Sequence, residues 1–458
     1  MVPNDPFYPN EWHLERINAP AAWDVLTGST TIVAVLDLGV DIHNPDLADA
    51  IWTNPGEIPS NGIDDDRNGL VDDVHGWDYL TGTNDPSPKH DVPTSDPRDL
   101  HHGTAVAGLI AARGNNGKGI AGIDWGAKIM PLRVLHSDGS GDVDLVITAF
   151  QYAVAHGATV INMSFVGDER SGDLDAAIAS AVAKGVVVVA AGGNEGRTER
   201  GNLDRFPMYP MCSGADGTTV LGVAATNQLD ERAPFSSYGR CVDISAPGDR
   251  LVSTLLFDPS RMMVQANGTA AALFASPYGG YFSGTSFAAP VVSGAVSLLR
   301  GILPHASAAD LVGLLARTAD PVRGLDATTA SGMGAGRLNL GRAAEEARTQ
   351  AASVPSASAM QVTVSAPLAA VGDAVAVRVD VRSDRGTPLI GRVVALTSNR
   401  LSDVVTPAQV ATDASGTAMF AVRGSVEGGA DLQVTVDGVV IAHARTVFAA
   451  PHTTDVSF

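Results

Sequence analysis

Cysteine is nearly absent: two residues, Cys212 and Cys241, stand in a chain of 458. That excludes a disulfide-rich scaffold and a multi-cysteine zinc centre. The pair can close one loop, or remain as two separate buried thiols. Cations are also scarce. Lys and Arg number 30 against 50 Asp and Glu, a formal net charge of -20. Nucleic acid is therefore excluded as a partner, because its phosphates demand clustered basic residues. No apolar run reads as long enough to span a bilayer. The first residues, Met1-Val2-Pro3-Asn4-Asp5, lack the basic start and apolar stretch of a signal peptide. Apolar residues, by contrast, are plentiful at 45%, enough for a globular chain with a sizeable core and two or three domains.

Short apolar runs alternate with helical patterns from residue 31 to about 348. Residues 31–36, 128–134, 159–163 and 186–191 read as buried strands. Residues 144–156 and 173–184 read as helices, stopped by Gly157 and Gly185. This alternation predicts an α/β domain with a mostly parallel sheet, whose ligands bind beyond the carboxyl ends of the strands. Asp37 sits at such an end. After Arg348 the composition shifts. Residues 349–360, rich in Ala, Ser and Pro, read as a linker. Residues 361–458 carry short alternating segments separated by turns such as Asp413-Ala414-Ser415-Gly416, which predicts an all-β sandwich.

Three segments carry chemistry: Val33-Ala34-Val35-Leu36-Asp37-Leu38-Gly39, His102-Gly103-Thr104-Ala105-Val106-Ala107-Gly108 and Gly284-Thr285-Ser286-Phe287-Ala288-Ala289-Pro290. A serine hydroxyl is a weak nucleophile and needs a base in hydrogen-bond reach, itself oriented by an acid. Ser286 opens a helical pattern, so its backbone N–H is an orphan donor favoured by the helix dipole. Pro290 is expected in the first turn, where a missing N–H costs little. Taken singly, these residues read as a helix cap, a structural histidine and a turn aspartate. Taken together, in the order Asp, His, Ser, the segments resemble the subtilisin-like serine peptidases (subtilases).

That resemblance implies a three-layer catalytic domain over 1–348, with Asp37, His102 and Ser286 as a triad. The segment Val187-Val188-Val189-Ala190-Ala191-Gly192-Gly193-Asn194-Glu195-Gly196 resembles the one that supplies the family's oxyanion donor, here Asn194. Val160-Ile161-Asn162-Met163-Ser164-Phe165 resembles the strand that pairs with extended substrate, and Gly139-Ser140-Gly141 would be the opposite rail. Ser164, Phe165 and Gly193 would then border the pocket before the cut bond, with Glu195 at its rim. Val166 stands where the family usually has Gly. The connection over 255–281 is longer than usual and is expected to be a packed hairpin. His101 falls outside the motif and is expected at the surface.

Residues 64–73, Asp-Asp-Asp-Arg-Asn-Gly-Leu-Val-Asp-Asp, place oxygen donors at alternate positions before a Gly, which is calcium-loop logic. The expected ligands are Asp64, Asp66, Asn68, the Leu70 carbonyl and Asp72 or Asp73. Asn4-Asp5-Pro6 and Ala19-Pro20-Ala21-Ala22-Trp23-Asp24 resemble thermitase-like subtilases. That implies a second calcium site from Asp5, Asp46, Asn116 and the carbonyls of Arg113, Lys118 and Ile120. Thr412-Asp413-Ala414-Ser415-Gly416-Thr417-Ala418 resembles bacterial immunoglobulin-like domains. The expectation is a secreted, calcium-stabilised endopeptidase of broad specificity, monomeric and acting on polypeptides. Its C-terminal module would bind a surface or substrate. The extracellular reading favours a Cys212–Cys241 disulfide.

Overall fold

The computed structural model describes residues 1–213, 220–264, 270–304, 306–326, 329, 332–353, 355–384 and 386–450. They form two compact units, Met1–Ala347 and Arg348–Phe458.

The first unit is built on a sheet of seven strands: β1 (Ile32–Asp37), β2 (Trp77–Asp78), β3 (Lys128–Arg133), β4 (Val160–Met163), β5 (Val187–Ala191), β6 (Leu221–Thr226) and β7 (Ile244–Pro247). Their order is β2-β3-β1-β4-β5-β6-β7, and every pairing is parallel. β1 lies between β3 and β4, with Leu36 opposite both Leu132 and Met163. A strand enclosed by neighbours and covered on both faces must be apolar throughout, and Val33 to Leu36 are fully buried. The strands and helices predicted from periodicity are present, their ends shifted by one residue. Helix Val143–Ala155 starts where the Asp142 side chain accepts from the Asp144 N–H, and helix Gly172–Ala183 where Ser171 accepts from Leu174. Gly157 and Gly185 end them at positive φ, 83° and 87°.

Helix Thr285–Ile302 packs against β4, β5 and β6. By length and composition it is apolar enough to cross a membrane, contrary to expectation. It is buried in the fold, which explains its composition: a helix apolar all round belongs inside a core. Cys212 and Cys241 are joined as a disulfide.

The 255–281 connection is folded in its described part. Met263–Val264 pairs antiparallel with Ala270–Ala271, and Phe274 is buried with Leu100 and Leu256. The Leu255 N–H donates to the Pro277 carbonyl, and Asn44 Nδ2 donates to the carbonyls of both Leu255 and Pro277. This corrects the expectation for His101. It is buried, its ring edge-on to Phe274 at 5.2 Å, because the connection folds over it.

The second unit is all-β. One sheet has the order Gln361–Val364, Ala374–Asp380, Thr417–Arg423, Val404–Thr406. The other runs Leu368–Ala370, Val439–Ala449, Gly428–Val436, Val393–Ser398, Gln409–Ala411. All pairings are antiparallel except that of Leu368–Ala370 with Val439–Ala449. Alternate residues such as Val375, Val377, Phe420, Leu396 and Val434 form one core between the sheets. Helix Leu340–Ser353 continues into the stretch read as a linker, so residues 349–353 are helical.

Candidate active site

Asp37 ends β1 and is fully buried. Its Oδ1 accepts from the Leu38 N–H at 2.8 Å, which orients the carboxylate. His102 begins the helix His102–Ala111, with Nδ1 2.8 Å from Asp37 Oδ1 and 3.0 Å from Oδ2. Gly103 makes this approach feasible. A Cβ there would lie 2.2 Å from the Gly39 carbonyl oxygen and 2.9 Å from Asp37 Oδ1. Partial burial works against a charged imidazole, but the Asp37 carboxylate and its hydrogen bond prevail and raise the His102 pKa. A ring whose Nδ1 faces a carboxylate keeps Nε2 available as a base.

Ser286 occupies the second position of helix Thr285–Ile302. Its N–H has no acceptor among the described residues, as expected in a first helical turn. Pro290 is not in that first turn. It lies one turn further on, where its missing N–H leaves the Ser286 carbonyl without its usual helical donor. Ser164 fills the gap, its hydroxyl donating to that carbonyl at 2.8 Å. The Ser164 hydroxyl itself accepts from Asn162 Nδ2 at 2.9 Å, and Ser293 donates to Asn162 Oδ1 at 2.9 Å. The Ser286 hydroxyl donates to the Ser164 carbonyl at 3.0 Å; among the described residues it has no hydrogen bond with His102.

Asn194 follows β5 and is exposed. Its Oδ1 accepts from the Thr285 N–H at 2.9 Å and from the Thr285 hydroxyl at 3.1 Å. A backbone N–H can only donate, so the amide orientation is determined, and Nδ2 has no acceptor among the described residues. The Thr285 hydroxyl also accepts from the Gly193 N–H at 3.0 Å. Thr285, Asn162, Ser293 and the role of Pro290 go beyond the sequence reading. Only Thr285 carried a signal, by standing between Gly284 and Ser286.

Gly139, Gly141 and Phe165 line a cavity of about 310 Å³ with Leu135, Val146 and Val166. Gly141 pairs with Leu135 across a tight hairpin, whose returning arm carries Ser140, its carbonyl accepting from the His136 N–H. Gly193, at φ 86°, faces Met208 Sδ and Val166 Cγ2, which would lie 2.7 and 3.7 Å from an added Cβ. Val166 thus points toward Gly193. Gly167 after it is bound in a two-way ladder with Tyr209. Ser164 is buried beneath Ser286, and Glu195 is exposed.

Residues 28–337 match the family model described as the subtilase family. The chain belongs to the subtilase family. It is 34% identical over 345 residues to thermitase of Thermoactinomyces vulgaris, covering 75% of this chain and 99% of that one. An extracellular protease of Xanthomonas campestris is 34% identical over 354 residues, covering 74% of this chain but 56% of its own. A solved protease of Pseudoalteromonas arctica superposes with a TM-score of 0.60 at 27% identity, over 76% of this chain and all of that one. This subtilase is a serine endopeptidase.

Two acidic regions lie outside that centre. In the first, Glu57, Asp66 and Asp73 offer carboxylate oxygens within 4.8 Å of one another. Glu57 Oε2 is buried and has no hydrogen-bond partner. Asn54 and Asn68 amides and the Tyr152 hydroxyl also converge there. Three converging carboxylates with an orphan oxygen fit a hard cation, and His156 Nε2 lies 3.4 Å from Asp66 Oδ2 beside them. Glu57 is absent from the sequence reading. Of the expected ligands, Asp64 instead caps the Asn68 and Gly69 N–H groups, and Asp72 accepts from Asn61 and Gly62. In the second region, Asn115 and Asn116 N–H groups donate to Asp5, while Asn116 Nδ2 and the Ile120 N–H donate to Asp46. The Arg113 N–H binds the Asp46 carbonyl, and the Lys118 N–H binds Asn116 Oδ1. Burial raises both carboxyls, Asp46 to about 6. Desolvated carboxylates held only by neutral donors also fit a cation.

Proposed function

We propose that this subtilase is a secreted, calcium-stabilised endopeptidase of broad specificity, working through Asp37, His102, Ser286 and Asn194. His102 Nε2 takes the Ser286 proton as Oγ attacks the peptide carbonyl. Asp37 holds the imidazole and offsets its charge. The hydroxyl exchanges the Ser164 carbonyl for the imidazole, a bond that tightens in substrate complexes. Asn194 Nδ2 and the Ser286 N–H receive the oxyanion. His102 then protonates the leaving amine, and water resolves the acyl-enzyme. Substrate lies extended between Gly139-Ser140-Gly141 and Ser164-Phe165, with Gly193 and Glu195 beside the pocket preceding the cut bond. The observation that carries this reading is the Asp37–His102 pair at 2.8 Å, its imidazole 5.3 Å from the Phe287 ring at the helix start that holds Ser286, with the Asn194 amide anchored to the same helix start through Thr285.

The test is covalent labelling by a sulfonyl fluoride. Mass spectrometry should find the label on Ser286, and Ser286→Ala should be neither labelled nor active. A label elsewhere, or hydrolysis by the variant, would refute the assignment.

Glu57, Asp66, Asp73 and Asn68 would hold one calcium ion, and Asp5, Asp46 and Asn116 with the carbonyls of Arg113, Lys118 and Ile120 a second. Bound calcium supplies positive charge that ties these loops and the N-terminus to the folded form. We assign residues 1–348 as the catalytic domain, 349–360 as its connection and 361–458 as an immunoglobulin-like module for surface or substrate binding. Deleting 361–458 should spare cleavage of soluble casein and reduce that of particulate protein. The names of the extracellular relatives support secretion.

A further inference from the structure

An ion cluster centred on the buried Arg133 joins the catalytic strand to the hairpin at 135–141. At the carboxyl end of the sheet, Asp37 and Asp78 are both register partners of Arg133. Arg133 is fully buried. Its Nε donates to the Leu38 carbonyl at 3.2 Å, one residue beyond Asp37, and its Nη1 reaches Asp78 at 2.9 and 3.1 Å. Lys89 also binds Asp78, at 2.7 Å. The remaining guanidinium arm, Nη2, is taken by Asp91.

Asp91 then turns to the hairpin. Its Oδ1 accepts from the Ser137 N–H at 2.9 Å and its Oδ2 lies 2.9 Å from His136 Nδ1. Ser137 is fully buried, and its hydroxyl bonds the Val92 N–H and the Ser95 hydroxyl, both at 2.9 Å. Within the hairpin, the His136 N–H donates to the Ser140 carbonyl at 2.8 Å. One carboxylate therefore sets the height of Gly139-Ser140-Gly141 relative to the strand that ends in Asp37. Burial opposes its ionisation, but the Ser137, His136 and Arg133 donors prevail and hold its pKa down.

We infer that Asp91 is a positioning residue for substrate, fixing the 139–141 rail at the distance an extended peptide requires. This rests on the reading that 139–141 borders substrate. The residue touches neither the triad nor Asn194, so its removal should be felt only by substrates long enough to reach the rail.

The test compares a blocked tetrapeptide anilide with a blocked single-residue ester carrying the same residue before the cut, using full-length enzyme. In Asp91→Asn, KM for the tetrapeptide should rise about tenfold with kcat within about twofold, while kcat/KM for the ester stays within about twofold. Equal proportional losses on both substrates would assign Asp91 to the catalytic strand or to stability and overturn the inference. No change on either would also overturn it. His136→Ala, at an exposed partner, should show the same pattern more weakly and carries the test if Asp91→Asn does not fold. Gly141→Ala separates the two readings, since its Cβ would lie 2.6 Å from Leu135 Cδ2 and shift the rail directly. If it shows the length dependence and Asp91→Asn does not, only the Asp91 role fails. If neither shows it, the rail reading fails too.

Discussion

Two histidines mark two regions built on opposite terms. His102 meets a carboxylate at 2.8 Å, and its pKa rises despite partial burial. His13, fully buried in the short helix Trp12–Arg16, has no partner for either ring nitrogen, and burial presses its pKa down to about 3. The same contrast extends to their neighbours. Around His102, the functional groups are oriented by donors from within the chain: Leu38 for Asp37, Thr285 for Asn194 and Ser164 for the Ser286 carbonyl. In the N-terminal region, Glu11 Oε1 and Trp12 Nε1 are also unpartnered, and burial raises the carboxyls of Asp5, Glu11 and Asp46. The centre is self-sufficient. The N-terminal region accumulates desolvated groups and depends on its surroundings for balance.

The contrast can be broken at its strong end first. Ser286→Ala should lower kcat by about 10⁴-fold or more on any peptide, while leaving Tm within a few degrees. A stability loss of comparable weight would show that the centre is part of the frame rather than added to it. Next, Asn194→Ala should reduce kcat by about 10²–10³-fold with KM little changed. Thr285→Val, which removes the hydroxyl that orients Asn194, should cost about tenfold, again in kcat. Unchanged kcat in Thr285→Val would mean that the backbone N–H alone orients the amide.

The N-terminal region should respond to cations instead. Excess chelator should shorten the half-life at elevated temperature by about tenfold or more and leave initial rates at low temperature nearly unaltered. An unchanged half-life would remove calcium from the account. The smallest effect expected is the acid dependence of His13. The unfolded chain takes up this proton near pH 6.5, the folded one only near 3. Its contribution is therefore complete above pH 6.5 and is lost as pH falls toward 3, at up to about 1.4 kcal/mol per pH unit. Asp5, Glu11 and Asp46, the last raised to about 6, act with the opposite sign and gain stability as pH drops, so the histidine's share is read by comparing proteins with and without it. His13→Leu, in a Ser286→Ala background that prevents self-digestion, should flatten the fall in Tm between about pH 6 and pH 4. Parallel curves for the two proteins would show that other groups govern acid sensitivity.

Much of the catalytic frame was legible because its signals are local. Asp37 ends an apolar run, and Gly103 stands next to the residue whose approach it permits. Strand ends were readable to within a residue, since an enclosed parallel strand must be apolar throughout. What escaped depends on distant partners. Glu57 looks like any surface glutamate until Asp66 and Asp73 fold back to it. His101 is buried only because Phe274 arrives from the 255–281 connection. Pro290 could be placed on the helix, yet nothing local says that Ser164 replaces its missing donor. The long strand Val439–Ala449 lacks clean alternation, because most of its residues are only partly covered. Arg133 and Asp91 read as ordinary charges until the sheet register sets one beside Asp37 and Asp78.

The Cys212–Cys241 bond has a practical side. The two residues are 29 apart in sequence. A cut anywhere between them leaves the pieces covalently joined. A preparation nicked there would run as one band without reductant and fall into two once reductant is added. Electrophoretic purity under oxidising conditions is therefore blind to this stretch, and the integrity of any stored sample has to be judged after reduction.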